Sequence, residues 1–271
     1  FDTNMQSANG IDCKAIRSTK PSKKTNVFHG ENAANADKDY NSYPETIAEL
    51  RKFGFGAYRM SISWSRVLSY KTANVRGGKP VATPNQDGIE HYRQVLNALK
   101  AANVDVALTM WHWDTPEALE NYAYSNPACI PTNSTTGSYW LCPDSNTFFQ
   151  EYALLRVKEF GPLVKYWITL NEPLTIVQNG YSGSGPHAPG RCSDRTQCWD
   201  GNDATEPFLV AHNLLRAHAV AFNAWKASDN KRADSACGIT LNGDYALPVD
   251  PSSADDVAAS ERSHEYQMAI F

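Results

Sequence analysis

The chain has 271 residues, of which 42% are apolar and 11% aromatic, and a formal net charge of −4. That is enough to bury a substantial core, and a β/α barrel of about 250 residues can form one domain. The acidic balance leaves no basic stripe of the kind nucleic-acid binding needs, and no apolar run is long enough to span a bilayer.

The chain opens at Phe1 with neither an initiator Met nor an apolar leader, so the expectation is a processed chain or an internal fragment. Lys14, Arg17, Lys20, Lys23 and Lys24 lie among Ser, Thr and Pro and read as a solvated loop. Helical spacing then puts Tyr43, Ile47, Leu50 and Phe53 on one face, and an apolar run from Gly56 to Ile62 reads as a strand. Asp87 can cap a helix carrying Ile89, Tyr92, Leu96 and Leu99, followed by a strand from Val104 to Trp111. A helix over about Thr147 to Phe160 precedes a strand from Lys165 to Leu170. Thr205 followed by Pro207 opens another helix with Phe208, Ala211, Leu215 and His218 on one side. Cys237 to Asn242 is the last strand, and Asp255 to about Phe271 the last helix.

Short apolar runs alternating with amphipathic helices indicate a parallel α/β architecture, and their near-continuous apolar character predicts strands buried on both faces. Four strands do not close a barrel, which favours a fragment. A doubly wound open sheet would want a glycine-rich turn leading straight from a strand into a helix. The glycine-rich stretch from Gly180 to Gly190 follows no such step.

Six cysteines add a constraint. Cys192 and Cys198 bracket one short polar loop, Cys129 and Cys142 another, and Asn133-Ser134-Thr135 within the second is an N-glycosylation acceptor pattern. Two closely spaced pairs and a sequon point to disulfides formed in an oxidising compartment. Cys237 reads as a buried thiol, Cys13 receives no assignment, and the lack of a Cys-x-x-Cys pair argues against a zinc ribbon.

The segment Tyr166-Trp167-Ile168-Thr169-Leu170-Asn171-Glu172-Pro173 ends an apolar strand in an amide and a carboxylate, and the proline forbids extension into a ladder. Polar side chains at the C-terminal end of a β/α-barrel strand face the active-site mouth. Apolar walls and a second carboxylate would raise the pKa of Glu172 and keep it able to donate a proton. Arg59 lies within the apolar strand Ala57 to Ile62, where a buried guanidinium needs a carboxylate partner. Met110-Trp111-His112-Trp113-Asp114 ends another strand with two indoles around an imidazole, a surface suited to the apolar faces and hydroxyl rims of sugars. Taken singly, His112 is as readily structural as functional; the agreement of three polar strand ends carries the argument.

In this order, the Tyr-Arg-x-Ser-Ile-Ser-Trp-x-Arg, His-Trp-Asp-x-Pro and Thr-Leu-Asn-Glu-Pro segments resemble glycoside hydrolase family 1, as does Gly180-Tyr181 running on to His187-Ala188-Pro189-Gly190. The resemblance extends from Phe1 to Phe271. It implies an incomplete (β/α)8 TIM barrel, about strands 2 to 5 with their helices, as one partial catalytic domain over 1–271. It also implies a retaining β-glycosidase that hydrolyses terminal nonreducing β-D-glucosyl residues by double displacement. Glu172 would be the general acid/base, Asn171 would bond the sugar 2-hydroxyl, His112 and Trp113 would hold the 3-hydroxyl region, and Arg59 would pair with the nucleophilic carboxylate. That second glutamate would lie about 5–5.5 Å from Glu172. The family's Thr-Glu-Asn-Gly nucleophile segment and its first-strand Gln-x-Glu-Gly segment are absent, so these 271 residues alone are expected to be inactive.

An insertion from about Tyr122 to Trp140 replaces the family's Gly-Gly-Trp, with Trp140 in the Trp position and a Cys129–Cys142 bridge bracing it. No metal or cofactor is implied, and the partner is a small β-glucoside or oligosaccharide. A glutamate rather than glutamine at 172 argues against a thioglucosidase. The same site would serve a transglycosylase, and the same fold a noncatalytic sugar-binding derivative. His212 and His218 read as packing or capping groups, while Asp244 and Tyr245 either touch the aglycone or end the last strand.

Overall fold

A computed structural model describes residues 38–71, 78–183, 185 and 187–269. The basic cluster from Lys14 to Lys24, Cys13 and Phe271 lie outside the described residues. Helix α1 (Asp39–Lys52) leads into β1 (Ala57–Ser61), the one-turn helix α2 (Trp64–Val67) and a hairpin of β2 (Leu68–Lys71) with β3 (Val81–Pro84). Helix α3 (Gln86–Ala101) precedes β4 (Asp105–Trp111), and α4 (Glu117–Ser125) and α5 (Ser145–Phe160) precede β5 (Tyr166–Asn171). Helices α6 (Pro173–Gly180) and α7 (Glu206–Ala227) separate β5 from β6 (Ala236–Thr240), and α8 (Ala254–His264) follows. Strands β1, β4, β5 and β6 form one parallel sheet in that order, each next neighbour reached through a helical crossover.

Helix α3 follows its apolar spacing, whereas on α1 Ile47 alone of the expected face is buried and Phe53, just past the last helical residue, is 68% exposed. Ile89, Tyr92, Val95, Leu96 and Leu99 are the buried stripe of α3. That helix starts two residues earlier than the Asp87 cap implies: Asn85 is its N-cap residue and Asp87 sits in the first turn, where a carboxylate favours the helix dipole. On α7, Pro207 lies in the first turn as expected, but the buried stripe runs through Val210, Leu214, Ala217 and Ala221 and leaves Phe208 62% exposed. The small residues of that stripe allow α7 to pack closely on α5.

The second face of the sheet is covered only in part, so the expectation of strands buried on both faces holds for the C-terminal halves of β4 and β5 and fails for the edge strands and the N-terminal ends. Tyr58 and Met60 of β1, Val106 and Leu108 of β4 and Trp167 of β5 turn toward the helices. Ala57, Arg59 and Ser61, and likewise Tyr166, Ala236 and Gly238, are exposed. In a closed barrel that second face is filled by layers of side chains from all the strands; four strands leave it partly open. Arg59 is therefore solvent-accessible rather than buried.

Both expected disulfides are present, Cys129–Cys142 and Cys192–Cys198, while Cys237 is a free, half-buried thiol. Burial pushes that thiol up to about 12. The bridged insertion is fixed to the second disulfide loop by a buried ion pair. Arg191 donates from Nε to Glu206 Oε2 at 2.8 Å and from Nη2 to Oε1 at 2.7 Å, and Ser134 Oγ adds a bond to Glu206. Asp200 Oδ2 accepts from the backbone and hydroxyl of both Thr135 and Thr136. These donors hold the Asp200 carboxyl well below the usual carboxylate range. Gly137 is required where this insertion folds back, because a Cβ there would meet Ala123 O at 2.3 Å.

Candidate active site

The site lies at the C-terminal ends of β1, β4 and β5. At Glu172 the chain leaves β5 in the left-handed region (φ 42°, ψ 64°), and Pro173 starts α6 at the first helical position, where its missing N–H costs nothing. Trp113, just beyond β4, is also left-handed (φ 70°). Such conformations cost a non-glycine residue on the order of 1–3 kcal/mol and cluster at functional sites. The Glu172 N–H still donates to Thr240 O of β6 at 2.9 Å, so the strained residue is anchored to its neighbouring strand.

Asn171 is 2% exposed and held at both ends. Its Oδ1 accepts from Arg59 Nη2 at 2.5 Å, and its carbonyl accepts from Trp113 Nε1 at 2.8 Å. Arg59 Nε donates to Thr109 Oγ1 at 3.2 Å. The guanidinium of β1 thus reaches across β4 to β5. Its partners among the described residues are a hydroxyl and an amide; the carboxylate expected to pair with it belongs to a segment that this sequence does not contain.

Glu172 Oε2 accepts from Thr175 Oγ1 at 3.3 Å, and Asn242 Nδ2 donates to the same Thr175 hydroxyl at 2.8 Å. The residues after β6 are thereby linked to the carboxylate through one side chain. His112 feels both charges: burial lowers its pKa, the Arg59 charge lowers it further, and Glu172 opposes them. Arg59, His112, Trp113, Asn171 and Glu172 therefore form one constellation. Trp113 packs against His112 at 5.5 Å and against His187 at 5.3 Å between ring centroids.

Other singled-out residues fall elsewhere. His218 Nδ1 lies 2.8 Å from Thr169 Oγ1 on the helix-covered face, and His212 is exposed. Tyr245 is 81% exposed and stacks on His264, and the backbone N–H of Asp244 bonds Gln267 Oε1. Thr175 and Asp114 have roles that the sequence did not reveal. Thr175 stands three residues after Glu172 in the first turn of α6, a spacing that could have suggested it. Asp114 Oδ1 accepts the His112 N–H at 3.2 Å and Oδ2 the Trp64 N–H at 2.8 Å, tying the ends of β4 and β1. Among the described residues no His, Cys, Asp and Glu cluster could hold a metal ion.

A strand-end carboxylate beside a bonded amide, an imidazole and indoles on a parallel β/α sheet is the arrangement of a barrel glycosidase. The family model for glycosyl hydrolase family 1 matches residues 12–271, and the chain belongs to that family. It is 41% identical over 237 residues to beta-glucosidase 14 of Arabidopsis thaliana, covering 86% of this chain and 44% of the relative. Among solved structures it is similar to a Glu-to-Gln variant of the rice Os3BGlu6 beta-glucosidase in a covalent complex with Glc from GA4GE. That likeness has a TM-score of 0.75 at 32% identity and covers 93% of this chain and 48% of that one. A family 1 beta-glucosidase from the fungus Humicola insolens in complex with glucose matches at TM-score 0.76 and 33% identity, with 93% and 48% covered. The chain spans less than half the length of these relatives. Its βα units are an incomplete (β/α)8 barrel.

Proposed function

We propose that this chain supplies the acid/base half of a retaining β-glycosidase that removes terminal nonreducing β-D-glucosyl residues. The observation that carries the reading is Glu172 at the end of β5, next to Asn171 and electrostatically coupled to His112. In the first step the Glu172 carboxyl protonates the departing glycosidic oxygen while a second carboxylate, outside these 271 residues, bonds the anomeric carbon. In the second step the Glu172 carboxylate takes a proton from water as water displaces that carboxylate. Asn171 bonds the 2-hydroxyl, His112 and Trp113 hold the 3-hydroxyl region, and Arg59 keeps the nucleophile ionised. The rice variant bound covalently to Glc supports a covalent intermediate in that relative, and the Humicola complex supports glucose as the glycone class.

With one carboxylate of the pair, the 271-residue chain alone gives no turnover of an aryl β-glucoside, whereas the same sequence joined to the remaining strands of the barrel does. Absence of turnover from that completed barrel would count against the reading, and turnover by the 271 residues alone would show that the second carboxylate is not needed.

The two disulfides support passage through the secretory pathway, and Asn133 is exposed, as a glycan acceptor must be. Expression through a eukaryotic secretory pathway followed by amide-cleaving deglycosylation should convert Asn133 to Asp; an unmodified Asn133 would remove this part of the proposal.

A further inference from the structure

Arg156 is fully buried on α5, within the apolar stripe of Phe149, Tyr152, Ala153, Val157 and Phe160. Its Nη1 donates to Thr109 O at 3.1 Å, to Met110 O at 2.6 Å and to the Tyr152 hydroxyl at 2.7 Å. That hydroxyl lies 3.1 Å from Ile62 O and 2.8 Å from Met110 O, its single proton serving one at a time. Together these side chains grip the carbonyls at the C-terminal ends of β1 and β4. Yet Nε and Nη2 have no partner, and no carboxylate stands within ion-pair distance of the guanidinium among the described residues.

Packing alone gives no reason for such a residue. A buried N–H left unbonded costs about 1–3 kcal/mol, and apolar side chains of similar volume commonly replace buried charges without loss. The charge does have a counterpart. Asp114 binds the backbone N–H of Trp64, whose indole stacks on the Tyr152 ring at 4.4 Å between centroids; burial raises its pKa, the Trp64 and His112 N–H bonds oppose that, and the Arg156 charge adds to their opposition. Tyr92 of α3 faces the Tyr152 hydroxyl and accepts the Ser63 N–H at 3.2 Å. Ionisation matters because both Asp114 oxygens accept backbone N–H groups, one from His112 and one from Trp64. A protonated carboxyl turns one oxygen into a donor and releases one of those N–H groups.

We infer that Arg156, acting through Tyr152 and Asp114, is a positioning residue that seats His112 and Trp113 at the mouth of the site. The seating is a property of the folded chain itself, and its importance for sugar binding rests on the role proposed above for His112. Removing the charge takes away one of the contributions that oppose burial, beside the Trp64 and His112 N–H bonds, so Asp114 takes up its proton at a higher pH and the His112 N–H then loses its acceptor.

The test is an NMR titration of the 271-residue chain labelled at its Asp carboxyls, with Arg156→Met, Arg156→Gln and Arg156→Lys beside the parent. The expected result is an Asp114 midpoint raised by about one pH unit in the Met or Gln variant. The His112 and Trp64 amide signals should move with that titration, and Lys should restore the parent midpoint. A folded neutral variant whose Asp114 midpoint and amide signals match the parent would overturn the inference, as would a folded Lys variant with a midpoint raised by about one unit. No sugar enters these measurements, so their failure is separate from failure of the His112 assignment, which His112→Ala tests by sugar binding in the completed barrel.

Discussion

Arg59 Nη2 and Asn171 Oδ1 meet at 2.5 Å although 112 positions separate them in the chain. The bond joins the first strand of the sheet to the third across β4, and it fixes the residue that immediately precedes Glu172. With the Asn171 carbonyl held by Trp113, the amide has little freedom to drift. Arg59→Met removes this tether. In the completed barrel it should lower kcat/KM by about 100-fold or more, the scale of a misplaced catalytic group, while the melting temperature of the 271-residue chain moves little because Arg59 is exposed. Steady-state kinetics and thermal melts check both; an unchanged kcat/KM would mean that the tether is idle.

The Arg191–Glu206 pair predicts stability rather than activity. Glu206 is fully buried and Arg191 nearly so, and between them they connect both disulfide loops. Glu206→Ala removes both short charge-assisted bonds from the buried guanidinium, leaving it Asp200 at 3.9 Å and the Thr136 hydroxyl, and should cost about 3–5 kcal/mol in a denaturant melt. Replacing both residues by apolar ones of similar volume should cost less than the single change. A cost below about 1 kcal/mol for Glu206→Ala would assign the pair to the surface class of weak bridges.

His218 gives a pH dependence with a definite sign. Burial between α7, which carries it, and β5 lowers its pKa in the folded chain, while the unfolded chain keeps a value near 6.5. Above that value both states are neutral and there is no cost. As pH falls through it, the unfolded state takes up the proton first, so stability is lost until the folded value is passed. His218→Gln keeps a partner for the Thr169 hydroxyl and removes the titration. The melting temperature of the parent relative to this variant should therefore decline between about pH 7.5 and 5.5; a constant difference over that range would contradict it.

How much was legible in the sequence follows from which forces are local. The four parallel strands were readable within one or two residues because their apolar runs are strong and bounded, and Glu172 stood out because Pro173 stops its strand. The β2–β3 hairpin was missed: four-residue strands such as Leu68–Lys71 and Val81–Pro84 carry too little alternation, and Pro84 argues against a ladder. The exposure of Arg59 depends on strands outside this chain, which no local pattern encodes. The stripe on α7 was misaligned because its alanines look neutral in sequence and acquire meaning only against α5. Asp114, Thr175 and Arg156 were passed over for the same reason, since each acts on a partner brought close by folding.

The account turns on proton transfer at Glu172, and leaving-group dependence tests it most directly. In the completed barrel, kcat/KM for the parent and for Glu172→Gln would be compared on β-glucosides whose leaving groups range from dinitrophenol to simple alcohols. Loss of the acid should cost about 10²–10⁴-fold on the alcohol glucosides, which need protonation to depart, and little on dinitrophenyl glucoside, which does not. An equal loss across the series, or none, would contradict the role given to Glu172.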